Sequence, residues 1–267
     1  MCIRDRCYKN LETLRVTGGE PLLSTNFMKM LDYIEDNPRP DLQFAINSNM
    51  SVPQRNLDKF IERAKSLKEN KKVKEIILYT SVDTWGDQAE YIRNGLDLER
   101  WEFNVHRYLN EVPDSKIGLM ITVNFLSIFN FEKLLDKILE LRKRYNTRFN
   151  RRIQFDTPYL LEPPHLSLQI ADNTHIARLY KAIAYMKTLV NNSDYKKFDN
   201  TEYSKFERVA KWAEDNRYSG ELLSTIRKDF VAFINEHDKR RGTSFLTTFP
   251  EMATTVAEWN ASDLQNL

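Results

Sequence analysis

The chain has 267 residues, 41% of them hydrophobic, and its 40 basic and 38 acidic side chains leave a net charge of +2. That length suits one large domain or one domain with an extension, and so balanced a charge gives no electrostatic case for nucleic acid, which shows as a clustered basic excess. No apolar run approaches the ~20 residues of a membrane span, and two cysteines exclude a disulfide scaffold and suit a reducing compartment.

Leu11 to Val16 reads as a strand, and Thr25 to Asp36 as a helix with Phe27, Met28, Leu31 and Ile34 at helical spacing. Asn37-Pro38-Arg39-Pro40 breaks the pattern before a second strand, Leu42 to Ile46. Gln54 to Leu67 is a helix with Leu57, Phe60, Ile61 and Ala64 on one face, and Val73 to Val82 is the third strand. Asp87 to Asn110 is helix-rich, interrupted at Asn94-Gly95; Ile117 to Val123 is the fourth strand and Phe131 to Tyr145 an amphipathic helix. Arg152 to Phe155 and Leu166 to Ile170 are further strand candidates around Pro158, Pro163 and Pro164. Beyond Asp172 the composition turns helical and charged, with helices at Thr174 to Val190, Glu202 to Asn216 and Ser219 to His237. Repeated strand-then-helix order with short links predicts an α/β fold, a parallel sheet or barrel with helices outside, over residues 7–172, and a helical extension over 173–267.

In such folds ligands gather at the C-terminal ends of the strands. Those ends carry Gly18, Gly19 and Glu20 after the first strand, Asn47-Ser48-Asn49 after the second, Ser81 and Asp83 after the third, and Asn124 after the fourth. The first is the most informative. In Thr17-Gly18-Gly19-Glu20-Pro21-Leu22-Leu23 two glycines let the backbone turn sharply and approach a ligand, and Pro21 fixes the exit and removes one donor. Taken alone, this is a tight strand-to-helix turn with a solvated carboxylate. The full string resembles the "GGEP" motif of radical S-adenosylmethionine (SAM) enzymes. The resemblance implies that Gly18, Gly19, Glu20 and Pro21 receive the ammonium of SAM's methionine moiety.

The resemblance extends from Leu11 to Ile170. Ala45-Ile46-Asn47-Ser48-Asn49 is similar to the family's "TNG" or "SNG" strand end, with Met50 standing where the pattern has glycine. Thr80-Ser81-Val82-Asp83 resembles the "SlD" pattern of the subgroup with a SPASM or twitch extension, which implies Ser81 near SAM's carboxylate and ribose. Gln88 to Gly95 looks like the segment that follows in that subgroup, where an arginine, here Arg93, pairs with the SAM carboxylate in a bidentate manner. A surface helix arginine is the other reading of Arg93. The cofactor-binding set implied is therefore Gly18, Gly19, Glu20, Pro21, Asn47, Ser81, Asp83, Arg93 and Asn124.

The family also holds a [4Fe-4S] cluster on three cysteines spaced CxxxCxxC, and this chain has only Cys2 and Cys7, too few for such a site. Met-Cys-Ile-Arg-Asp-Arg at the start can be encoded by a string resembling a sequencing-library adaptor, so residues 1–6 read as an artefact to be excluded from fold reasoning. The expectation is an N-terminally truncated fragment: a partial (β/α)6 TIM-like barrel without its first βα unit, the cluster being ligated by the missing segment. The resemblance implies that the intact parent cleaves SAM reductively to a 5′-deoxyadenosyl radical that abstracts hydrogen from an unknown peptide or small molecule. It implies an electron donor as partner and a cytoplasmic location because the cluster is oxygen-sensitive, while charge balance and the lack of a long apolar run argue for neither nucleic acid nor membrane as partner. The competing reading is a non-catalytic βα barrel that binds a small ligand or partner at the same mouth.

His106, His165, His175 and His237 show no metal-ligand spacing. The stretch from Asp238-Lys239-Arg240-Arg241-Gly242-Thr243 to Phe249-Pro250-Glu251 is similar to the "RRGT…FPE" ending of twitch-domain radical SAM proteins. Its basic triplet reads as a solvated helix end that complements the helix dipole, or as a site for an acidic substrate. With no cysteine after Cys7, this part has no ligands for an auxiliary cluster.

Overall fold

The computed structural model describes residues 7–261; the adaptor-like residues 1–6, with Cys2, lie outside them. The fold is α/β. Strands β1 (Thr13–Val16), β2 (Arg39–Asn47), β3 (Val73–Ser81), β4 (Lys116–Met120) and β5 (Ile153–Asp156) form one sheet in the order of the chain. β1 to β4 pair in parallel, with Leu14 opposite Phe44, Phe44 opposite Ile76, and Tyr79 opposite Gly118. β5 joins at β4 through Ile117 N–H, which donates to Arg152 O at 2.8 Å. Helices α1 (Thr25–Asp36), α2 (Gln54–Glu69), α3 (Asp87–Ile92), α4 (Leu98–Glu111) and α5 (Phe131–Tyr145) link the strands. After them come α6 (Asn173–Thr188), α7 (Asn200–Asp215), α8 (Gly220–Arg241), α9 (Phe245–Thr248) and α10 (Ala253–Ala261). Among the described residues no helix is long and apolar enough to cross a membrane.

The chain divides into two compact units that interleave: Met1–Ser81, Gly95–Met120 and Leu141–Phe155 make the first, and Val82–Asn94, Ile121–Glu140 and Asp156–Leu267 the second. The sequence reading instead divides the chain once, at residue 172. The second unit takes three separate stretches of chain, the first two directly following β3 and β4.

In the first unit the sheet has two unlike faces, because alternate strand residues point to opposite sides. One face is apolar. Phe44 of β2 stacks on Phe27 of α1 at 6.3 Å, Phe27 meets Phe60 of α2 at 6.1 Å, and Phe60 stacks on Tyr108 of α4 at 5.9 Å. Trp101 of α4 donates its indole N–H to Thr80 Oγ1 at 2.9 Å, so both of these buried polar groups are paired. The opposite face is polar. Thr13 Oγ1 donates to Gln43 Oε1 at 3.0 Å, Gln43 Nε2 to Glu75 Oε1 at 2.5 Å, and Lys116 Nζ reaches Glu75 Oε2 at 2.5 Å, a chain of bonds across β1 to β4.

Two expected strands are corrected. Leu166 to Ile170 is not a strand but two 3-10 turns, Pro164–Leu166 and Leu168–Ile170. Ser167 Oγ accepts from Gln169 N–H between them, and this turn overrides the apolar–polar alternation of Leu166-Ser167-Leu168-Gln169-Ile170, which by itself reads as a strand. β4 ends at Met120 and not Val123, because Thr122 N–H turns to Asp83 Oδ1 at 2.8 Å, and Val123 keeps only an isolated bridge to Tyr159. β2 is longer than expected: it starts at Arg39 and tolerates Pro40 where its register with β3 shifts between Arg39 and Gln43.

β1 ends the sheet order, so one of its edges carries no strand among the described residues. Beside it a mostly apolar groove of about 380 Å³ is lined by Tyr8, Leu11, Leu14, Met30 and Tyr33. Unpaired edges template association. The purified chain is expected to self-associate with rising concentration in size-exclusion chromatography with light scattering, and Leu14→Lys to suppress this. A wild-type chain that stays monomeric at every concentration contradicts the expectation.

Candidate functional site

The turn after β1 is built from conformations that its residues alone favour. Gly18 and Gly19 have φ of +93° and +52°, in the left-handed region. A Cβ built on either glycine meets no atom within 4 Å, so their backbone faces open space. The half-buried Glu20 caps the 3-10 turn Pro21–Leu23: its Oε1 accepts from Leu22 N–H at 3.2 Å and its Oε2 from Asn49 N–H at 2.8 Å. Those two amides fix the carboxylate, and among the described residues no cationic side chain pairs with it.

The loop after β2 lies against the same carboxylate. Met50 stands at φ +59° with its side chain fully buried, a left-handed turn made by a core residue. Ser48 Oγ accepts Met50 N–H at 3.1 Å, and Asn104 Nδ2 donates to Met50 O at 2.6 Å, which holds the turn from both ends. Alternation puts Asn47 and Ser81 on the polar face with Arg15. Arg15 Nε donates to Asn47 Oδ1 at 3.1 Å, and its guanidinium lies 4.3 Å from the Tyr79 ring centroid. The Ser81 hydroxyl makes no hydrogen bond among the described residues. Thus Gly18, Gly19, Glu20, Pro21, Asn47 and Ser81 gather at the C-terminal ends of β1, β2 and β3, all in the first unit.

Asp83, Arg93 and Asn124 belong to the second unit. Arg93 grips Asp83 through Nε at 2.8 Å and Nη2 at 3.1 Å. Burial pushes the Asp83 carboxyl above the usual range, against the pull of Arg93 and of Thr122 N–H. Arg93, expected to face a ligand carboxylate, is here committed to an internal one. Asn124 caps its own turn, where Oδ1 accepts from Leu126 N–H at 3.0 Å and Ser127 N–H at 3.1 Å and Nδ2 donates to Thr122 O at 2.9 Å, and it also lines a cavity of this unit.

A cavity of about 310 Å³ in this second unit is lined by Asp83, Arg93 and Thr122 together with Phe233, His237 and Arg241 of α8. The α8 residues, spaced i, i+4 and i+8, share one stripe of the helix. Gly242, left-handed at φ +65°, ends the helix directly after Arg241. The segment beyond it holds α3. Gln88 Nε2 donates to Thr248 O at 3.2 Å and Glu251 Oε1 at 2.9 Å, and Tyr91 donates to Asp238 Oδ1 at 3.0 Å and stacks on His237 at 4.2 Å. Burial and Asp238 push the Tyr91 hydroxyl upward, so it remains a proton donor. His237 is buried, and Arg241 Nη1 donates to its Nε2 at 2.9 Å, which leaves the imidazole proton on Nδ1.

Among the described residues no cluster of His, Cys, Asp or Glu could hold a metal ion, and Cys7 is exposed. The described residues therefore do not fit a thiolate-bound cluster. Arg15, Tyr79, Tyr91 and His237 were not legible as site residues; only the spacing of Phe233, His237 and Arg241 hinted at a shared face. No protein-family model, curated protein or solved structure matches the chain.

Truncating buried Met50 costs about 2–5 kcal/mol, while a left-handed non-glycine residue carries about 1–2 kcal/mol of strain. Both Met50→Ala and Met50→Gly are expected to lower the urea midpoint, but Met50→Gly by less, by about 1 kcal/mol, the reverse of the order at an ordinary position. Equal midpoints for the two variants contradict this. His237 supplies a pH dependence: burial, then Arg241, lowers its pKa, so the unfolded chain takes up the proton first as pH falls. Stability is present above the ordinary imidazole value of about 6.5 and is lost as pH falls through the folded value. Melting temperatures between about pH 7 and 5 are expected to fall less steeply in His237→Gln than in wild type; identical slopes speak against it.

Proposed function

We propose that this chain is the larger, C-terminal part of a radical SAM enzyme and that the turn after β1 receives the ammonium of SAM's methionine moiety. The observation that carries the reading is Glu20, a half-buried carboxylate fixed by two backbone amides at the end of a parallel strand and lacking any cationic side-chain partner among the described residues. Such a group is arranged for a cation that the protein itself does not supply, and a charge-assisted bond is about twice as strong as a neutral one. The open space over Gly18 and Gly19 gives a ligand's backbone-like methionine moiety room to approach. Asn47 and the unengaged hydroxyl of Ser81 border the same strand ends. Met50 supports the resemblance further, since it takes the left-handed conformation that the family's glycine favours.

The strand order supports a barrel. An open doubly wound sheet reverses its order at a switch point, whereas this sheet runs β1 to β5 without reversal, as an arc of a (β/α)6 barrel does. Its polar face suits an interior that holds a ligand.

When bound, SAM supplies a carbon-centred radical on reductive cleavage of its sulfonium. The part played by these residues is binding and orientation: Glu20 fixes the ammonium, and the two glycines let the backbone come close. The three-thiolate loop of such enzymes is not among the described residues, and the substrate is unassigned within peptides and small molecules.

Glu20→Gln keeps the shape and removes the charge, and a hydrogen bond to a charged group is worth about 1.5–3 kcal/mol. Isothermal titration of SAM into the 267-residue chain is expected to show binding that this substitution weakens roughly ten- to a hundredfold. Unchanged affinity in Glu20→Gln removes the turn from the site.

A further inference from the structure

The basic triplet at the end of α8 divides into two unlike parts. Arg240 is exposed and pairs with Glu236 at 2.5 Å, a solvated helix pair. Arg241, also exposed, differs in its partners: it lines the cavity of the second unit and donates to buried His237.

The charges that line that cavity do not balance. Asp83 and Arg93 cancel in their ion pair. Tyr91 is held protonated, and His237 is held neutral by burial. Arg241 is left with one positive charge and no carboxylate in ion-pair range among the described residues. Asp238 keeps its negative charge but does not line the cavity: its carboxylate accepts from Tyr91 OH, from Thr243 Oγ1 at 2.7 Å and from Phe245 N–H at 2.6 Å. The remaining lining is largely apolar, with Leu126, Leu160, Leu166 and Phe233. At about 310 Å³ the cavity lies at the small end of ligand sites.

We propose that this cavity binds a small organic anion, a carboxylate or phosphate group on a short apolar body, with Arg241 as the partner of the anionic group. The hydrogen bond to His237 aims the guanidinium, and Gly242 fixes the helix end on which both residues sit. Leu126, Leu160, Leu166 and Phe233 take the apolar body. The proposal stands apart from SAM recognition, which rests on residues of the first unit.

The test titrates hexanoate, hexyl phosphate and uncharged hexanamide into the full chain, followed by ligand-observed NMR. At least one of the two anions is expected to bind more than about tenfold tighter than hexanamide, and the tighter one identifies the head group. Arg241→Gln is expected to abolish that preference, Arg241→Lys to restore part of it, and Arg240→Gln to leave it intact. No anion binding, equal binding of hexanamide, or equal losses in Arg240→Gln and Arg241→Gln would overturn the proposal. Glu20→Gln is expected to leave hexanoate binding unchanged, so a failed SAM titration and a failed anion titration are separately visible.

Discussion

A strand in a one-sidedly covered parallel sheet must serve two environments at once, and this constraint governs the first unit. Helix-facing residues such as Phe44 and Ile46 are fully buried, and Phe44 stacks on Phe27 of α1 at the start of an aromatic chain that continues through α2 and α4. Residues between them face the other way, where Gln43, Glu75 and Lys116 are partly withdrawn from water and must find partners. Burying a charge without a partner costs far more than a surface ion pair returns. The parallel register supplies those partners, because it sets side chains of neighbouring strands side by side. The same register carries Arg15 to Asn47 and lays its guanidinium over Tyr79. Tyr79 in turn lies across Gly118, where a Cβ would come within 2.5 Å of the ring. The glycine is there for the close approach of a side chain and not for an unusual backbone angle.

The second unit solves a different problem. Its helix α3 has only six residues, too short to stand by itself. Gln88 is anchored to the Thr248–Glu251 stretch, and Tyr91 is packed among His237, Phe245 and Phe249. The C-terminal segment therefore serves as the second half of the support for α3, although some 150 residues separate them in the chain. Phe125, Phe230, Trp259 and His175 form a further aromatic cluster beneath α6, α8 and α10.

Long periodic elements were legible in the sequence. Thr25–Asp36 and Phe131–Tyr145 match their expected bounds, because apolar residues at helical spacing dominate both. The Leu166 to Ile170 run was not legible, since five residues around two prolines and a serine turn contain less than two helical turns. The turn after β1 was visible because glycines and a proline carry their conformational meaning locally. The polar face of the sheet was not. Ala45, Ile77 and Gly118 interrupt its polar sequence, and only pairing across strands shows that Gln43, Glu75 and Lys116 belong together. The split of the basic triplet was hidden for a similar reason: Arg240 and Arg241 are neighbours in sequence, yet about 100° apart around a helix.

Met50 carries a wider consequence. It adopts the backbone angle of a glycine while its side chain fills the core, and Ser48 and Asn104 hold the turn in place. The turn is thus maintained by its surroundings, Ser48 and Asn104, as well as by the side chain that position 50 packs into the core. A pattern spelled in amino acids rejects such a loop; a pattern spelled in dihedral angles accepts it. A left-handed turn of this kind is therefore defined by its backbone shape, and a glycine is one way of making it and not a requirement.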